Sequence, residues 1–367
     1  MRVCTITCHS ALNYGARLQA YALLRYLTGQ GHAVEIIDYR PCYMSFREKI
    51  WYWPGGSVKE WAKFFLRFRQ RVDNVRRHAC FEEFSRKYLA RTSKIYADIS
   101  DLRAAPPPAD VYVAGSDQIW NTAFRNGTDA AYYLDFGDDS VKRISYAASF
   151  ALTSLRPGSE VFVEQHLSRF DTISVREESG LEILNSLGYE GQVTVDPVLL
   201  LSANEWDGLI GDTCASERYI LVYDIMGCRT LESVAKRLSG FYGCRIYSIG
   251  SRRLAYADRN FTRSAPDEFV ALVRNSLCVV SNSFHGTVFA MIYHRDFFVI
   301  DRADGLNDRM HALLRSVGLG RRAADCETSD EQLREHVSYD SVDSILNDQI
   351  AKSRLFLDKA LKDKDFS

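Results

Sequence analysis

A short apolar run, followed by polar residues and then a second apolar segment, is the pattern that most constrains this chain. Residues 277–280 (LCVV) have the length and composition of a fully buried parallel strand. Three small polar residues, 281–283, follow, and from Thr287 the pattern predicts a compact helix. His285 therefore lies where a strand ends and a helix begins. In open α/β sheets, ligands bind outside the carboxyl ends of the strands, and the N–H groups that begin a helix favour an anion.

The same succession of strand, polar loop and helix recurs along the chain and predicts parallel sheets. One right-handed βαβ unit is predicted from a strand, a helix and a strand at residues 3–7, 16–29 and 32–38. The first half continues with predicted strands at residues 110–114, 143–149 and 172–175. The second half repeats the pattern with predicted strands at residues 219–224, 245–249, 277–280 and 297–300.

These patterns predict an α/β protein with two Rossmann-like domains that face each other across a cleft, which is a GT-B-like architecture. A chain of 367 residues, 46% of them hydrophobic, is long enough for two cores. We expect the first domain at residues 1–195, with a helical insertion at 40–94, and the second domain at 196–340. An amphipathic helix within 341–367 is expected to pack back on the first domain.

Composition and cysteine usage argue against several classes of function. A formal net charge of −1 gives no global attraction to nucleic acid. The first residues are predicted as a strand, without the features of a signal peptide, and no apolar run reaches the about 18 residues of a membrane span. The nine cysteines include no C-x-x-C pair, so neither a zinc site nor a disulfide framework is indicated. We therefore expect a cytoplasmic protein that uses no metal ion, no cofactor and no nucleic-acid partner.

The segment 40–94 differs from the rest of the chain in charge and aromatic content. It holds 14 Lys and Arg residues against 5 Asp and Glu residues, and three of the five tryptophans, Trp51, Trp53 and Trp61. A basic aromatic helix can lie on an anionic membrane surface, so peripheral contact with the inner face of a membrane is one hypothesis. The other is a helical insertion whose aromatic side chains pack on their own domain.

Five short blocks of the sequence occur in one order that matches a known family. They are residues 13–23 (NYGARLQAYAL), 115–121 (GSDQIWN), 173–179 (ISVREES), 195–200 (VDPVLL) and 283–289 (SFHGTVF), with a further match at 307–309 (NDR). Together they resemble the polysaccharide pyruvyl transferase family. Each block alone is a weak signal, whereas five in order are a strong one.

The resemblance implies a GT-B-like fold and transfer of the enolpyruvyl group of phosphoenolpyruvate to a sugar as a pyruvate ketal, with release of phosphate. Phosphoenolpyruvate is then a co-substrate, and the acceptor is a sugar of a surface polysaccharide or of its lipid-linked precursor. The first domain would hold the acceptor and the second domain the phosphoenolpyruvate.

The resemblance assigns His285 as the acid/base group, because ketal formation needs a proton on the methylene carbon of the donor. Ser283 and Gly286 belong to the same block, as binding residues. Arg176 is the first candidate to bind a donor anion, since arginine forks match carboxylate and phosphate. From the residues alone, His285 can also be a structural histidine of the turn, and Arg176 can form an ion pair with a neighbouring glutamate.

Some family members resemble R-x-H where this chain has Ser283-Phe-His285. Positive charge is therefore missing beside His285, and we expect it from Arg176 and from the block that contains Asn307 and Arg309, with Arg302 as a further candidate.

Four residues of the first domain match motif positions on the acceptor side. Asp117 is the second candidate catalytic group, which would deprotonate or orient an acceptor hydroxyl. Asn13, Gly15 and Asn121 are candidate binding residues. Asn13 can equally be a helix cap, and Asp117 can equally be a turn residue after a strand.

Two other classes of function remain open at this stage. A sugar-nucleotide-dependent GT-B glycosyltransferase would need a site for base and ribose in the second domain. A non-catalytic polysaccharide assembly protein would instead use residues 40–94 to hold a membrane or a partner.

Overall fold

The computed structural model describes residues 1–44, 57, 61, 68–210, 217–302 and 307–362. The chain divides into two compact units. Unit 1 contains Met1–Ser45, Tyr88–Leu201 and Asp343–Ser367, and unit 2 contains Phe46–Lys87 and Ser202–Val342.

The described strands alternate with helices through most of the chain. The strands are β1 Arg2–Ile6, β2 Ala33–Tyr39, β3 Arg91–Tyr96, β4 Val111–Ala114, β5 Lys142–Ser145, β6 Ser174–Val175, β7 Gln192–Val193, β8 Tyr219–Tyr223, β9 Arg245–Ile249, β10 Arg259–Phe261, β11 Cys278–Ser281, β12 Asp296–Ile300 and β13 Ala323–Ala324. The helices are α1 Tyr14–Gly29, α2 Phe68–Tyr88, α3 Ile99–Ala104, α4 Glu160–Leu167, α5 Glu178–Ser186, α6 Ala203–Ile210, α7 Arg229–Tyr242, α8 Pro266–Asn275, α9 Phe284–Ile292, α10 Asp308–Ser316, α11 Asp330–Arg334 and α12 Tyr339–Lys362.

Unit 1 is built on a five-stranded parallel sheet in the order β3-β2-β1-β4-β5. The short parallel pair β6-β7 lies beyond β5. A bridge between Ile144 of β5 and Thr172, just before β6, connects this pair to the sheet. Strand β4 is buried at all four residues, as expected for a parallel sheet covered on both faces. Trp120 is fully buried in this unit and stacks on Tyr133 with ring centroids 5.4 Å apart.

Unit 2 has a six-stranded parallel sheet in the order β10-β9-β8-β11-β12-β13. Strands β8 and β11 are buried at every residue. Helix α9 is apolar nearly all round because both of its sides are covered: Phe289 contacts Trp206 of α6 at 4.9 Å and Phe269 of α8 at 5.8 Å between ring centroids. The two sheets thus share one Rossmann-like strand order, although β3, β10 and β13 were not predicted as strands.

Two boundaries differ from those expected. The segment of unit 1 that begins at Tyr88 ends at Leu201, whereas the first domain was expected to end at residue 195, because the turn Pro197–Leu200 packs on α1. Residues 46–87 group with unit 2, whereas the sequence interpretation attached the 40–94 insertion to the first domain. Trp51 and Trp53 lie outside the described residues, and Trp61 is 37% exposed. The proposed membrane contact of this segment therefore stays a prediction.

The C-terminal helix α12 belongs to unit 1 from Asp343 onward. Ser353 Oγ accepts a hydrogen bond from Val195 N at 3.0 Å, and Arg354 Nη2 donates to Leu200 O at 2.8 Å. These contacts join the helix to the chain segment that ends the unit. Within the described ranges, every helix is too short or too polar to span a bilayer.

Candidate functional site

The strand order of each sheet reverses at one place, and such reversals are where open α/β sheets bind ligands. In unit 2, strands β9 and β10 lie on one side of β8, and β11 to β13 lie on the other. The carboxyl ends of β8 and β11 are therefore the topological switch point of that sheet. The block at residues 283–289 follows β11 directly, so the structure places it at this switch point.

Ser283 begins helix α9 as its N-cap residue. Its hydroxyl oxygen lies 3.5 Å from Gly286 N, within reach of the first-turn amide. The helix starts at Phe284, three residues before the Thr287 expected from the apolar pattern. The apolar pattern places the start late because a polar cap residue, which it does not include, determines where the helix begins. His285 consequently lies in the first helical turn, with 7% of its surface exposed.

Hydrogen bonds between β8 and β11 fix the turn that precedes α9. Ser281 Oγ donates to Tyr223 O at 2.8 Å and accepts from Ser283 N at 3.0 Å. Asn282 Nδ2 donates to Asp224 Oδ1 at 2.8 Å, and Asp224 accepts from the backbone N–H groups of residues 226–228. Asp224 could not be singled out from the sequence, because its partner Asn282 lies 58 positions later.

Gly286 has no room for a side chain. A Cβ atom there would lie 2.8 Å from Ser281 Oγ and 3.3 Å from Tyr223 Cδ1. We expect Gly286→Ala to lower the free energy of unfolding by about 1–3 kcal/mol, the usual cost of overpacking. Thermal or urea denaturation measures the change. Gly240→Ala is the matched control, because Gly240 lies in α7 with nothing within 4 Å of the added Cβ. Equal destabilisation by both substitutions would contradict the packing argument.

Both polar atoms of the Asn307 side chain form hydrogen bonds with the backbone of Arg302. Its Oδ1 accepts from Arg302 N at 2.8 Å, and its Nδ2 donates to Arg302 O at 3.0 Å. The structure therefore gives Asn307 a role in fixing the chain after β12, and its predicted contact with substrate stays a prediction. Arg309 lies in α10, and its side chain is outside what the structure describes.

The corresponding switch point of unit 1 lies at the carboxyl ends of β1 and β4. Gln19 of α1 connects them: its Nε2 donates to Thr7 Oγ1 at 2.8 Å, and its Oε1 accepts from Ser116 N at 3.1 Å. Thr7 Oγ1 in turn donates to Ser116 O at 2.8 Å. The first motif block therefore meets the second through Gln19, which was not among the predicted site residues.

Asp117 and Asn121 lie in the polar turn after β4. This turn begins at Gly115, whose φ of +125° and whose Cβ position 2.2 Å from Tyr146 O admit only glycine. Asp117 has a φ of 73°, and its side chain is 16% exposed. Asn121 is fully buried, and its Oδ1 accepts from Ala123 N at 3.0 Å. Asn121 thus shapes its own turn, while the carboxylate of Asp117 is partly accessible.

Arg176, predicted to bind the donor, is surrounded by three carboxylates. Its Nη1 lies 2.6 Å from Asp196 Oδ2, its Nη2 lies 3.8 Å from Asp117 Oδ1, and its Nε lies 3.8 Å from Glu177 Oε2. Burial alone would lower the pKa of Arg176, but these carboxylates raise it. Three motif blocks meet at this guanidinium. Its contacts are those of a buried structural arginine, and its predicted role as a donor ligand stays a prediction.

Asn13 is the N-cap residue of α1, with its side-chain oxygen 3.4 Å from Ala16 N. This is the capping role that the sequence left open. Gly15 is buried in the first turn of the same helix. Across the described ranges, no three His, Cys, Asp or Glu side chains are grouped so that they could hold a metal ion.

The sequence model described as polysaccharide pyruvyl transferase matches residues 13–304, which is more than three quarters of the chain. The chain belongs to the polysaccharide pyruvyl transferase family. All five blocks lie inside the matched region, and the structure places three of them at the two switch points and the other two at the Arg176 cluster. As a family member, the protein is a transferase connected with polysaccharides. No curated protein matches the chain at a significant level.

Solved structures of two UDP-N-acetylglucosamine 2-epimerases resemble this pyruvyl transferase family member over nearly its whole length. The enzyme from Rickettsia bellii is 13% identical, with a TM-score of 0.50 over 99% of this chain and 96% of that chain. The enzyme from Neisseria meningitidis bound to UDP-GlcNAc is 10% identical, with a TM-score of 0.50 over 99% and 100%. AviGT4, a glycosyltransferase involved in avilamycin A biosynthesis, is 10% identical, with a TM-score of 0.49 over 99% and 97%. The likeness to the epimerases concerns the fold, and the predicted GT-B-like class is confirmed.

Proposed function

We propose that the protein transfers the enolpyruvyl group of phosphoenolpyruvate to a sugar of a surface polysaccharide or of its lipid-linked precursor. The product is a pyruvate ketal, and phosphate is released. Membership in the family, with the motif histidine His285 at the switch point of the unit 2 sheet, is the observation that carries the proposal. A histidine in the first turn of α9, next to the hydroxyl of Ser283, stands where α/β folds bind anionic ligands.

The chemistry requires one proton at carbon and the loss of one phosphate. His285 in its protonated form gives a proton to the methylene carbon of phosphoenolpyruvate, which becomes the methyl group. The first sugar hydroxyl adds to the resulting cationic carbon. Cleavage of the C–O bond to phosphate follows, and the second hydroxyl closes the ketal. Of the two hydroxyl protons, one restores His285 and the other leaves with phosphate, so that atoms and charges balance.

Asp117 is our candidate for the acceptor side. Its carboxylate is partly exposed at the switch point of the unit 1 sheet and lies 3.8 Å from Arg176 Nη2. The Asp117 backbone is fixed by Ser149 N, which donates to Asp117 O at 3.0 Å. A carboxylate held in this way can orient a sugar hydroxyl and accept its proton.

The decisive experiment is incubation of the protein with phosphoenolpyruvate and a panel of free and lipid-linked galactosides and mannosides. We expect one acceptor to gain the mass of a pyruvate ketal, with one phosphate released for each ketal formed. A sugar-nucleotide-dependent glycosyltransferase would instead release a nucleoside diphosphate. No turnover of phosphoenolpyruvate, together with transfer from a sugar nucleotide, would refute the proposal.

A further inference from the structure

Helix α2 brings a buried acidic residue to the carboxyl ends of β9 and β10. Asp73 Oδ1 accepts from Arg263 Nε at 2.7 Å, and Asp73 Oδ2 accepts from Arg253 Nε at 3.2 Å and from Thr262 Oγ1 at 3.1 Å. The Asp73 side chain is 2% exposed, whereas those of Arg253 and Arg263 are 41% and 43% exposed. One buried carboxylate therefore holds two accessible arginines that follow neighbouring strands.

This cluster carries more positive than negative charge. Burial alone would raise the pKa of Asp73, but the hydrogen bonds from Arg263 and Thr262 and the charge of Arg253 lower it. Asp73 is then ionised at neutral pH and is outnumbered by the two guanidinium groups. Because Asp73 holds each arginine through Nε, the guanidinium groups lose less conformational freedom when they bind an anion.

Arg77 extends the cluster toward the switch point of the same sheet. It follows Asp73 by one helical turn and so lies on the same face of α2, and it is 6% exposed. Burial raises the pKa of Tyr223, the last residue of β8, and the charge of Arg77 together with a hydrogen bond to Ser283 partly offsets that effect. Asp73 and Arg77 therefore share one face of α2, and the charge of Arg77 acts on Tyr223, whose backbone oxygen accepts from Ser281 Oγ at 2.8 Å.

We propose that Arg253 and Arg263, held by Asp73, bind with Arg77 the anionic groups of the donor. They thereby supply positive charge at the carboxyl ends of the same sheet whose strand β11 precedes His285. Phosphoenolpyruvate carries a phosphate and a carboxylate, and the planar fork of arginine fits both. This inference rests on the proposed function. It transfers the donor-binding role from Arg176, which three carboxylates already surround, to arginines of unit 2.

Titration of the full chain with phosphoenolpyruvate, followed by calorimetry, tests the proposal directly. We expect Arg253→Ala and Arg263→Ala each to weaken binding by about tenfold to a hundredfold, the usual effect of one charged hydrogen-bonding group. Arg237→Ala is the matched control, because Arg237 of α7 also binds an aspartate, Asp330. Its affinity for phosphoenolpyruvate should equal that of the wild type.

Asp73 is a positioning residue in this proposal, since it acts through the two arginines. Asp73→Asn should raise the KM for phosphoenolpyruvate while leaving the KM for the acceptor unchanged, which a general loss of structure would not do. Arg263→Lys keeps the charge but not the fork and should lie between the wild type and Arg263→Ala. Circular dichroism and thermal melting establish that each variant is folded.

The outcomes separate the two proposals. If the wild type binds phosphoenolpyruvate and both alanine variants bind it equally well, the arginine site is refuted while the proposed function stands. If the wild type binds no phosphoenolpyruvate at millimolar concentration, both are refuted. If inorganic phosphate competes with phosphoenolpyruvate in the wild type but not in Arg253→Ala and Arg263→Ala, the arginines bind the phosphate.

Discussion

His285→Ala is expected to lower the rate of ketal formation by about 10²- to 10⁴-fold, the usual contribution of a positioned general acid. The residue lies in the first turn of α9 at the switch point of the unit 2 sheet, and its imidazole is the group that can carry the proton to the donor. Affinity for phosphoenolpyruvate should fall much less, because the proposed anion ligands are arginines. Phosphate release with a saturating acceptor measures the rate, and calorimetry measures the affinity.

His336→Ala is the control for this substitution. The His336 side chain is 73% exposed, and its partner Asp296 is the first residue of β12. This pair therefore lies at the amino ends of the strands, whereas His285 follows the carboxyl end of β11. Its rate should match that of the wild type. A His285→Ala variant with wild-type turnover would exclude His285 as the acid, and the family motif would then have a structural role in this chain.

Arg176→Ala is expected to cost about 3–5 kcal/mol of unfolding free energy, because removing one partner of a buried ion pair leaves an uncompensated charge. The Arg176 side chain is 3% exposed, and its nearest partner Asp196 is fully buried. Asp196 also accepts from Val198 N at 3.1 Å, so the loss extends to the turn Pro197–Leu200. The midpoint of urea unfolding, followed by circular dichroism, measures the effect.

Arg103→Ala is the matched control in the same unit. The Arg103 side chain is 54% exposed in its ion pair with Asp135, and exposed pairs contribute about 1 kcal/mol or less. Arg176→Lys should lie between the two, since lysine restores the charge without the fork. A stable Arg176→Ala variant that no longer binds phosphoenolpyruvate would restore the donor-binding role that the family resemblance implied.

Much of the fold is predictable from the sequence, because its signals are local. Buried parallel strands are short apolar runs, and β8, β9, β11 and β12 lie close to their predicted positions. The strand β10, Arg259–Phe261, was missed because it is short and only partly buried. The start of α9 was placed three residues late, since Ser283 determines it as a cap and not through apolar periodicity.

The residues of the candidate site also fall into two groups in the structure. The sequence marked His285 and Asp117, which the structure places at the carboxyl edges of their sheets. It also marked Asn121 and Asn307, whose side chains bond to nearby backbone. Motif position alone does not separate a residue that contacts a ligand from one that shapes the loop beside it, because both need a polar group at the same place.

By itself, the sequence determined the family, the parallel sheets and the location of His285 between a strand and a helix. Only the tertiary structure decided which charges are compensated. Arg176 meets Asp196 20 positions later, and Asp73 meets Arg253 and Arg263 180 and 190 positions later. The physical reason is that charge compensation depends on distance in space and on burial. A chain that folds into two sheets brings together side chains that are far apart in sequence. Their separation in sequence carries no information about their distance in space or their burial.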